Sequence, residues 1–340
     1  MNIQIKLAII AIIIVIPLTS FAVTQPNFTS EISTADNLKL QVVASANFLY
    51  EFTQNIGNEM IDVTLLVPMG VDPHDWEPTI RDTERLQRAD MIITNGIGYE
   101  HWIGSLSTSN YQGIIVDTSN GILIDYDKKH DDKKHDDKKH DDKKHDDEKH
   151  DDEKHDDEKH DDEKHDDEKH KHGNLDPHIW LNPVYAQLQV KNIANALSNS
   201  DPTNKNYYQS NAAIYNQELN LLDTKIRNDL SGCKTDFITF HNAFSYFAKE
   251  YSLTQHTIIS STDSHGEVTL QTLENIISLA RELNIKVIFA EENTSTKTSQ
   301  VIADEIGGKV LVLSPLEITS NENYIYKMTQ NLESLKEALC

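Results

Sequence analysis

Three histidines of this chain occupy positions from which side chains could bind a divalent metal ion. The tripeptide Asp-Pro-His occurs twice, ending at His74 and at His178, and a third histidine, His241, follows the apolar segment 237–240. Proline fixes its own φ and restricts the residue before it, so each Asp-Pro-His is expected to present its imidazole from a stiff loop. The nearby aspartate could accept the second N–H of a metal-bound ring. For each histidine taken alone, the alternative is a hydrogen-bonded structural role.

A second group of histidines lies in a repeat of the pentad His-Asp-Asp-(Lys/Glu)-Lys that fills residues 128–172. The repeat has no apolar side chain, so it cannot offset the entropy of ordering its backbone, and it is predicted to be a solvated loop. Because histidine-rich tracts bind transition metals, the loop is also predicted to collect metal ions weakly. The alternative is a low-complexity linker that arose by repeat slippage. The loop histidines are His130, His135, His140, His145, His150, His155, His160, His165, His170 and His172.

The elements that must position these histidines alternate between strands and helices, as in α/β proteins with parallel sheets. Strands are predicted at 38–44, 62–68, 91–95, 114–117, 237–240, 257–260, 286–290 and 310–313. Helices are predicted at 46–56, 79–88, 243–251, 270–283 and 324–338. Residues 184–230 are predicted to be mostly helical, with a break near 201–202 and a long amphipathic helix at 207–230. Since ligands collect outside the carboxyl ends of strands in open α/β sheets, the three histidines could converge on one cleft.

This order of elements predicts two α/β lobes joined by a helical linker that contains one long helix. The expected divisions are an N-terminal lobe at 38–183 that contains the loop at 127–172, a linker at 184–231, and a C-terminal lobe at 232–340. A chain of 340 residues suits two lobes of ordinary domain size better than one large core.

The N-terminal segment and the composition predict a protein that acts outside the cytoplasmic membrane and does not bind nucleic acid. Lys6 and the apolar run after it fit a signal peptide at residues 1–22, or an uncleaved N-terminal anchor. No cysteine stands near the predicted cleavage site, which excludes a diacylglycerol-cysteine anchor there. The net charge of −24 would repel nucleic-acid phosphates. In an oxidising compartment Cys233 and Cys340 could form a disulfide, and the sequence leaves this question open.

Four segments resemble the landmarks of zinc/manganese ABC-transporter substrate-binding proteins and follow one another in that family's order. They are Gly-Val-Asp-Pro-His-Asp-Trp-Glu-Pro (70–78), Asp-Pro-His-Ile-Trp-Leu-Asn-Pro (176–183), Phe-His-Asn-Ala-Phe-Ser-Tyr-Phe (240–247) and Val-Ile-Phe-Ala-Glu-Glu (287–292). The acidic His-rich insertion between the first two metal histidines resembles the zinc importers in particular. The resemblance implies two pseudo-symmetric lobes, each a mainly parallel sheet flanked by helices. One long rigid helix would bridge the lobes, with the metal held between them.

The resemblance also implies that His74, His178 and His241 are the metal ligands. Manganese-preferring relatives typically have a carboxylate at the third position, and three neutral imidazoles suit Zn²⁺ better than the harder Mn²⁺. Where the family often has an aspartate after the last strand, this chain has Ser314, a poor neutral ligand. A carboxylate of the His-rich loop is one option for the fourth position. The other candidates are Glu317, Glu77 and a water molecule.

The function expected from these observations is that of an extracytoplasmic zinc receptor. It would capture Zn²⁺ and deliver the ion to an ABC permease in the membrane without any chemical step, and it is expected to be a monomer and not an enzyme. Two alternatives stay open. The chain could be a sequestration or storage protein whose purpose is the histidine repeat, or a metalloenzyme that uses three histidines and an open coordination position.

Overall fold

The computed structural model describes residues 39–74, 76–108, 111–123, 175–259, 268–292 and 296–340. The predicted leader at 1–22 and the His-rich loop at 127–172 lie outside these residues, so both stay predictions. Within the described residues, no helix is both long enough and apolar enough to cross a bilayer.

The first lobe is built on a four-stranded parallel sheet whose strands lie in the order β2-β1-β3-β4. The strands are β1 (Leu40–Ala44), β2 (Ile61–Leu65), β3 (Met91–Thr94) and β4 (Ile114–Asp117), and the helices are α1 (Asn47–Gly57), α2 (Ile80–Arg88) and α3 (Ile103–Thr108). Every residue of β3 is buried, as expected for a strand covered on both faces. Helix α2 begins with a capping box formed by Thr79 and Asp82.

Two long helices connect the lobes. Helix α4 (Pro183–Ser200) begins where the side chain of Asn182 accepts the N–H of Val184, with proline at its first position. Helix α5 (Lys205–Leu230) has 26 residues, which gives a length of about 39 Å at 1.5 Å per residue. Its buried residues recur at helical spacing along one side, so the predicted amphipathic helix is present.

The second lobe repeats the architecture of the first, with a parallel sheet in the order β6-β5-β7-β8. The strands are β5 (Asp236–Thr239), β6 (Thr254–Thr257), β7 (Val287–Ala290) and β8 (Lys309–Val312). The helices are α6 (Ser245–Glu250), α7 (Leu270–Glu282), α8 (Lys297–Ile306) and α9 (Tyr324–Leu339). In both lobes the strand order reverses between the first and third strands, which is where α/β sheets bind ligands. The predicted fold class is therefore confirmed, whereas the lobe boundaries stay predictions.

One hydrophobic core runs through both lobes. Phe52 of α1, Leu219 of α5 and Leu332 of α9 belong to the same cluster of buried side chains. A disulfide between Cys233 and Cys340, whose Cα atoms are 4.7 Å apart, also joins the start of the second lobe to the end of the chain. The helices between the sheets are thus packed on both lobes rather than exposed as a free linker.

Three local predictions differ from the structure. The strand predicted at 257–260 lies instead at Thr254–Thr257, because the second sheet uses a polar edge strand. Ile258 and Ile259 follow that strand and are buried, and their apolar, β-branched side chains are typical of a strand although they lie outside it. Helices α3 and α8 were not predicted; α3 has only six residues and contains a glycine, which disfavours a helix.

Candidate metal centre

The loop after β2 carries His74. The carboxylate of Asp72 accepts the backbone N–H of His74 at 2.9 Å, which holds the Asp-Pro-His turn in one conformation. The imidazole lies edge-on to the ring of Tyr99, with 5.8 Å between the ring centroids. The ring of His74 is thereby packed against the first lobe, and its Nε2 points toward the second.

The segment before α4 carries His178, which is fully buried. One oxygen of Asp176 contacts both the backbone N–H of His178 at 3.0 Å and its ring Nδ1 at 2.7 Å. Asp176 is held in turn by the hydroxyl of Ser245 and by Tyr246, whose hydroxyl donates to the Asp176 carbonyl at 2.8 Å. Because the carboxylate accepts a hydrogen bond from Nδ1–H, Nε2 is the ring nitrogen that is left to bind a metal.

The carboxyl end of β5 carries His241, which is also fully buried. Its partner is Glu291, which follows β7, the neighbouring strand in the sheet. One oxygen of Glu291 contacts the backbone N–H of His241 at 3.1 Å and its ring Nδ1 at 2.5 Å. The reversal of strand order therefore places a histidine and its orienting carboxylate side by side, with Nε2 of His241 left for a ligand.

The irregular segment after β8 carries Glu317, which is 5% exposed. The preceding residue, Leu316, adopts a left-handed conformation with φ of +59°, which is strained for a branched side chain. Ser314 does not reach the cluster, because its backbone N–H and C=O pair with the side chain of Asn331 and its hydroxyl accepts the N–H of Leu316. The turn around Ser314 and Leu316 thus directs Glu317 into the cleft.

The three histidines and Glu317 converge on one point between the lobes. Their four ligand atoms all lie within 4.8 Å of one another. The Nε2 atoms of His178 and His241 are 3.4 Å apart, and Zn–N bonds of about 2.0–2.1 Å in a tetrahedron require a separation of about 3.3 Å. One oxygen of Glu317 lies 2.7 Å from Nε2 of both His74 and His178. An ion entering the cluster would need Glu317 to move back by about 0.6 Å to reach the same tetrahedral edge.

Two histidines of the cluster, His74 and His178, have raised pKa values. Burial opposes the charged form of His178, but hydrogen bonds to Asp176 and Glu317 outweigh it and raise the pKa of His178 to about 10. Burial also opposes charge on His74, and its hydrogen bond to Glu317 nevertheless raises the pKa. For Glu317, burial favours the neutral acid, but the two imidazole partners lower its pKa. These opposite shifts favour an ion pair between protonated His178 and ionised Glu317, in which the Nε2–H group takes the place of a cation.

The structure distinguishes the two named glutamates, Glu317 and Glu77, by their positions. Glu317 lies with the three histidines, whereas the carboxylate of Glu77 contacts Nε2 of His101 at 2.9 Å and belongs to an exposed pair. Glu77 is therefore no member of the cluster found among the described residues. The loop histidines 130–172 lie outside those residues. Sequence reasoning missed Glu291, although its position just beyond a strand end, the same as that of His241, could have indicated it.

Comparisons with known proteins find relatives whose names describe zinc uptake and zinc binding. The family model of the zinc-uptake complex component A, periplasmic (ZnuA), matches residues 42–338. The high-affinity zinc uptake system protein ZnuA of Bacillus subtilis is 38% identical over 312 residues, which cover 88% of each chain. The zinc-binding protein AdcA of Streptococcus pyogenes is 31% identical over 318 residues, which cover 88% of this chain but only 56% of that protein.

Solved structures show the same fold. The Zn(II)-bound ZnuA-like domain of AdcA from Streptococcus pneumoniae superposes with a TM-score of 0.68 at 27% identity, covering 88% of this chain and 98% of that chain. The family model spans both lobes and all four residues of the cluster. The chain therefore belongs to the family of the zinc-uptake complex component A, periplasmic.

Proposed function

We propose that this protein is an extracytoplasmic receptor that binds one Zn²⁺ with His74, His178, His241 and Glu317 and delivers the ion to an ABC-type metal importer. The observation that carries the proposal is the convergence of three imidazole nitrogens and one carboxylate oxygen within 4.8 Å, in a cleft lined by both lobes. Zinc would be the transported substrate, and the protein would make or break no covalent bond.

The donor set favours zinc over manganese. Zn²⁺ in proteins is commonly four-coordinate and accepts imidazole nitrogen readily, whereas Mn²⁺ prefers more oxygen ligands. A donor set of three imidazole nitrogens and a single carboxylate oxygen fits the first ion. The names of the relatives, which describe zinc uptake and zinc binding, support the same choice.

Burial of the donors supports a receptor rather than an enzyme. A catalytic zinc keeps a coordination position open for water or substrate. Here the cluster itself offers four protein donors, and His178, His241 and Glu317 are between 0% and 5% exposed. Such a closed site suits tight capture of an ion, and release then requires a change in the positions of the ligands.

The remaining parts of the proposal are the partner, the location and the His-rich loop. The partner would be an ABC permease, met by a monomer of this protein outside the cytoplasmic membrane. The ten histidines of the repeat would hold further ions weakly and raise their concentration near the tight site. The permease and the location are supported by the family, and the role of the repeat by its composition.

Calorimetry with zinc tests the proposal against storage and catalysis. The expected result is one tight site in the intact chain, which survives deletion of residues 128–171 and is lost in the double variant His74→Ala/His178→Ala. The matched control is His101→Ala/His256→Ala, which removes two histidines that pair with carboxylates outside the cluster. Loss of all tight binding on deletion of the repeat would favour storage. Zinc-dependent turnover of an ester or of carbon dioxide by the purified protein would favour an enzyme.

A further inference from the structure

The segment at 315–324, which joins β8 to α9, carries Glu317 and contains no helix or strand before its last residue. We call it the Glu317 segment. A segment without regular hydrogen bonding takes its position from contacts with its surroundings. A metal ligand must nevertheless be held to within about 0.5 Å to bind well. The contacts that hold the Glu317 segment therefore bear on the affinity for the ion.

Both ends of the Glu317 segment are hydrogen bonded to the same residue, Trp180. The indole N–H of Trp180 donates to the carbonyl oxygen of Pro315 at 2.8 Å. The backbone carbonyl of Trp180 accepts the hydroxyl of Tyr324 at 2.6 Å. Trp180 and Tyr324 are both almost completely buried, so water does not compete for either bond. Pro315 lies two residues before Glu317.

Trp180 is itself held firmly in the first lobe and next to the metal cluster. Its ring stacks on Phe48 with 4.3 Å between centroids and an interplanar angle of 15°, and Tyr99 lies edge-on at 5.1 Å. It follows His178 by two residues and lies in the same 3-10 turn, Ile179–Leu181. The turn that presents His178 to the metal therefore also holds the segment that presents Glu317.

We propose that Trp180 is a positioning residue that holds Glu317 beside His178, within reach of a zinc ion shared by the two side chains. The inference rests on the proposed function, because it assumes that the cluster binds zinc through Glu317. Without the indole N–H, the buried carbonyl of Pro315 has lost its donor, and the Glu317 segment shifts to find another. The carboxylate then no longer meets the ion at the fourth corner of the tetrahedron, although the three imidazoles keep their places.

A double-mutant cycle between Trp180→Phe and Glu317→Gln tests this inference. Phenylalanine keeps the aromatic stacking but lacks the indole donor. Trp180→Phe is expected to weaken zinc binding about 10-fold in competition with a chelator, as is usual when an outer partner of a metal ligand is removed. In a protein that already carries Glu317→Gln, Trp180→Phe is expected to weaken zinc binding by less than about 2-fold. If Trp180 had a purely structural role, Trp180→Phe would lower the zinc affinity by the same factor with Glu317 and with Gln at position 317.

A second variant allows the same test if Trp180→Phe does not fold. Tyr324→Phe removes only the bond at the other end of the segment and is expected to show the same dependence on Glu317. The matched control is Tyr208→Phe, which removes a buried hydroxyl bonded to Asp201 at 2.8 Å, away from the cluster, and leaves affinity within about 2-fold.

The outcomes separate this inference from the proposed function. Suppose that His74→Ala/His178→Ala abolishes tight zinc binding. If Trp180→Phe then leaves the zinc affinity unchanged, or lowers it equally with and without Glu317→Gln, the positioning role is wrong but the proposed zinc site is retained. An unchanged affinity in Glu317→Gln also overturns the positioning role, since no carboxylate ligand would then need positioning. If the double histidine variant still binds zinc tightly, the proposed function itself fails.

Discussion

Zinc binding should release at least about one proton at pH 8, because zinc and a proton compete for Nε2 of His178. The neighbouring carboxylates raise the pKa of His178 to about 10. At pH 8 a group with that pKa is about 99% protonated, whereas a histidine with the ordinary pKa of about 6.5 is about 3% protonated. The bound zinc requires neutral His178, so its proton must leave. His74, whose pKa is also raised, adds a further fraction.

The competition between zinc and the proton also determines how the zinc affinity changes with pH. The proton stabilises the metal-free form below the raised pKa, so the affinity for zinc should increase as the pH rises toward 10. One released proton corresponds to about a 10-fold change in the dissociation constant for each pH unit. Between pH 7 and pH 8.5 the constant should therefore fall by about 30-fold or more, where an ordinary histidine would give almost no change.

Calorimetry in buffers with different heats of ionisation measures the released protons directly, from the slope of the observed heat against the buffer heat. The control variant is Asp176→Asn, which removes one carboxylate from His178 and should lower both its pKa and the proton release. Release of less than about 0.3 proton by the unaltered protein at pH 8 would refute the ion-paired cluster. It would mean that His178 is neutral before the metal arrives.

Three further predictions concern the surroundings of the cluster and the end of the chain. Glu291→Ala should weaken zinc binding about 10–100-fold in chelator competition, because His241 loses its orienting carboxylate; an unchanged affinity would contradict this. Cys233→Ser with Cys340→Ser should lower the free energy of unfolding by about 2–4 kcal/mol in urea titrations, with unchanged zinc affinity; equal stability would show that the bridge adds nothing. Glu77→Ala should leave the affinity within about 2-fold, since its carboxylate pairs with a histidine outside the cluster; a 10-fold loss would identify it as a ligand.

Sequence patterns predicted the strand–helix order and the positions of the three histidines for a local reason, and the family resemblance added that the three meet. Each histidine stands in a short motif next to an element end, and parallel strands bring their carboxyl ends to one edge of a sheet. The position of His241 just after β5 needed only that rule. Asp-Pro-His similarly restricts the backbone that presents His74 and His178. Where the local motif determines the backbone, the prediction agreed with the structure.

The choice between Glu77 and Glu317 depended on side-chain directions that no local motif determines. Glu77 is close to His74 in the chain, yet its side chain points to the exposed surface. Glu317 is brought in by the left-handed Leu316 and by Trp180, more than a hundred residues earlier. Pairings over such distances leave no periodic signal. The polar edge strand β6 was misplaced for a related reason, because its apolar neighbours are buried without belonging to the strand.

A hydrophobic core shared by the two lobes limits how the ion can leave. Buried side chains of both lobes, such as Phe52 and Leu332, belong to this one cluster, so swinging the halves apart would expose apolar surface to water. Hinge opening of that kind is too costly for routine unloading of cargo. Exit of the ion is therefore expected to begin with small displacements of the loops that carry His74 and Glu317, since both residues lie on irregular backbone. A transporter that draws zinc from this protein would act on those two loops first.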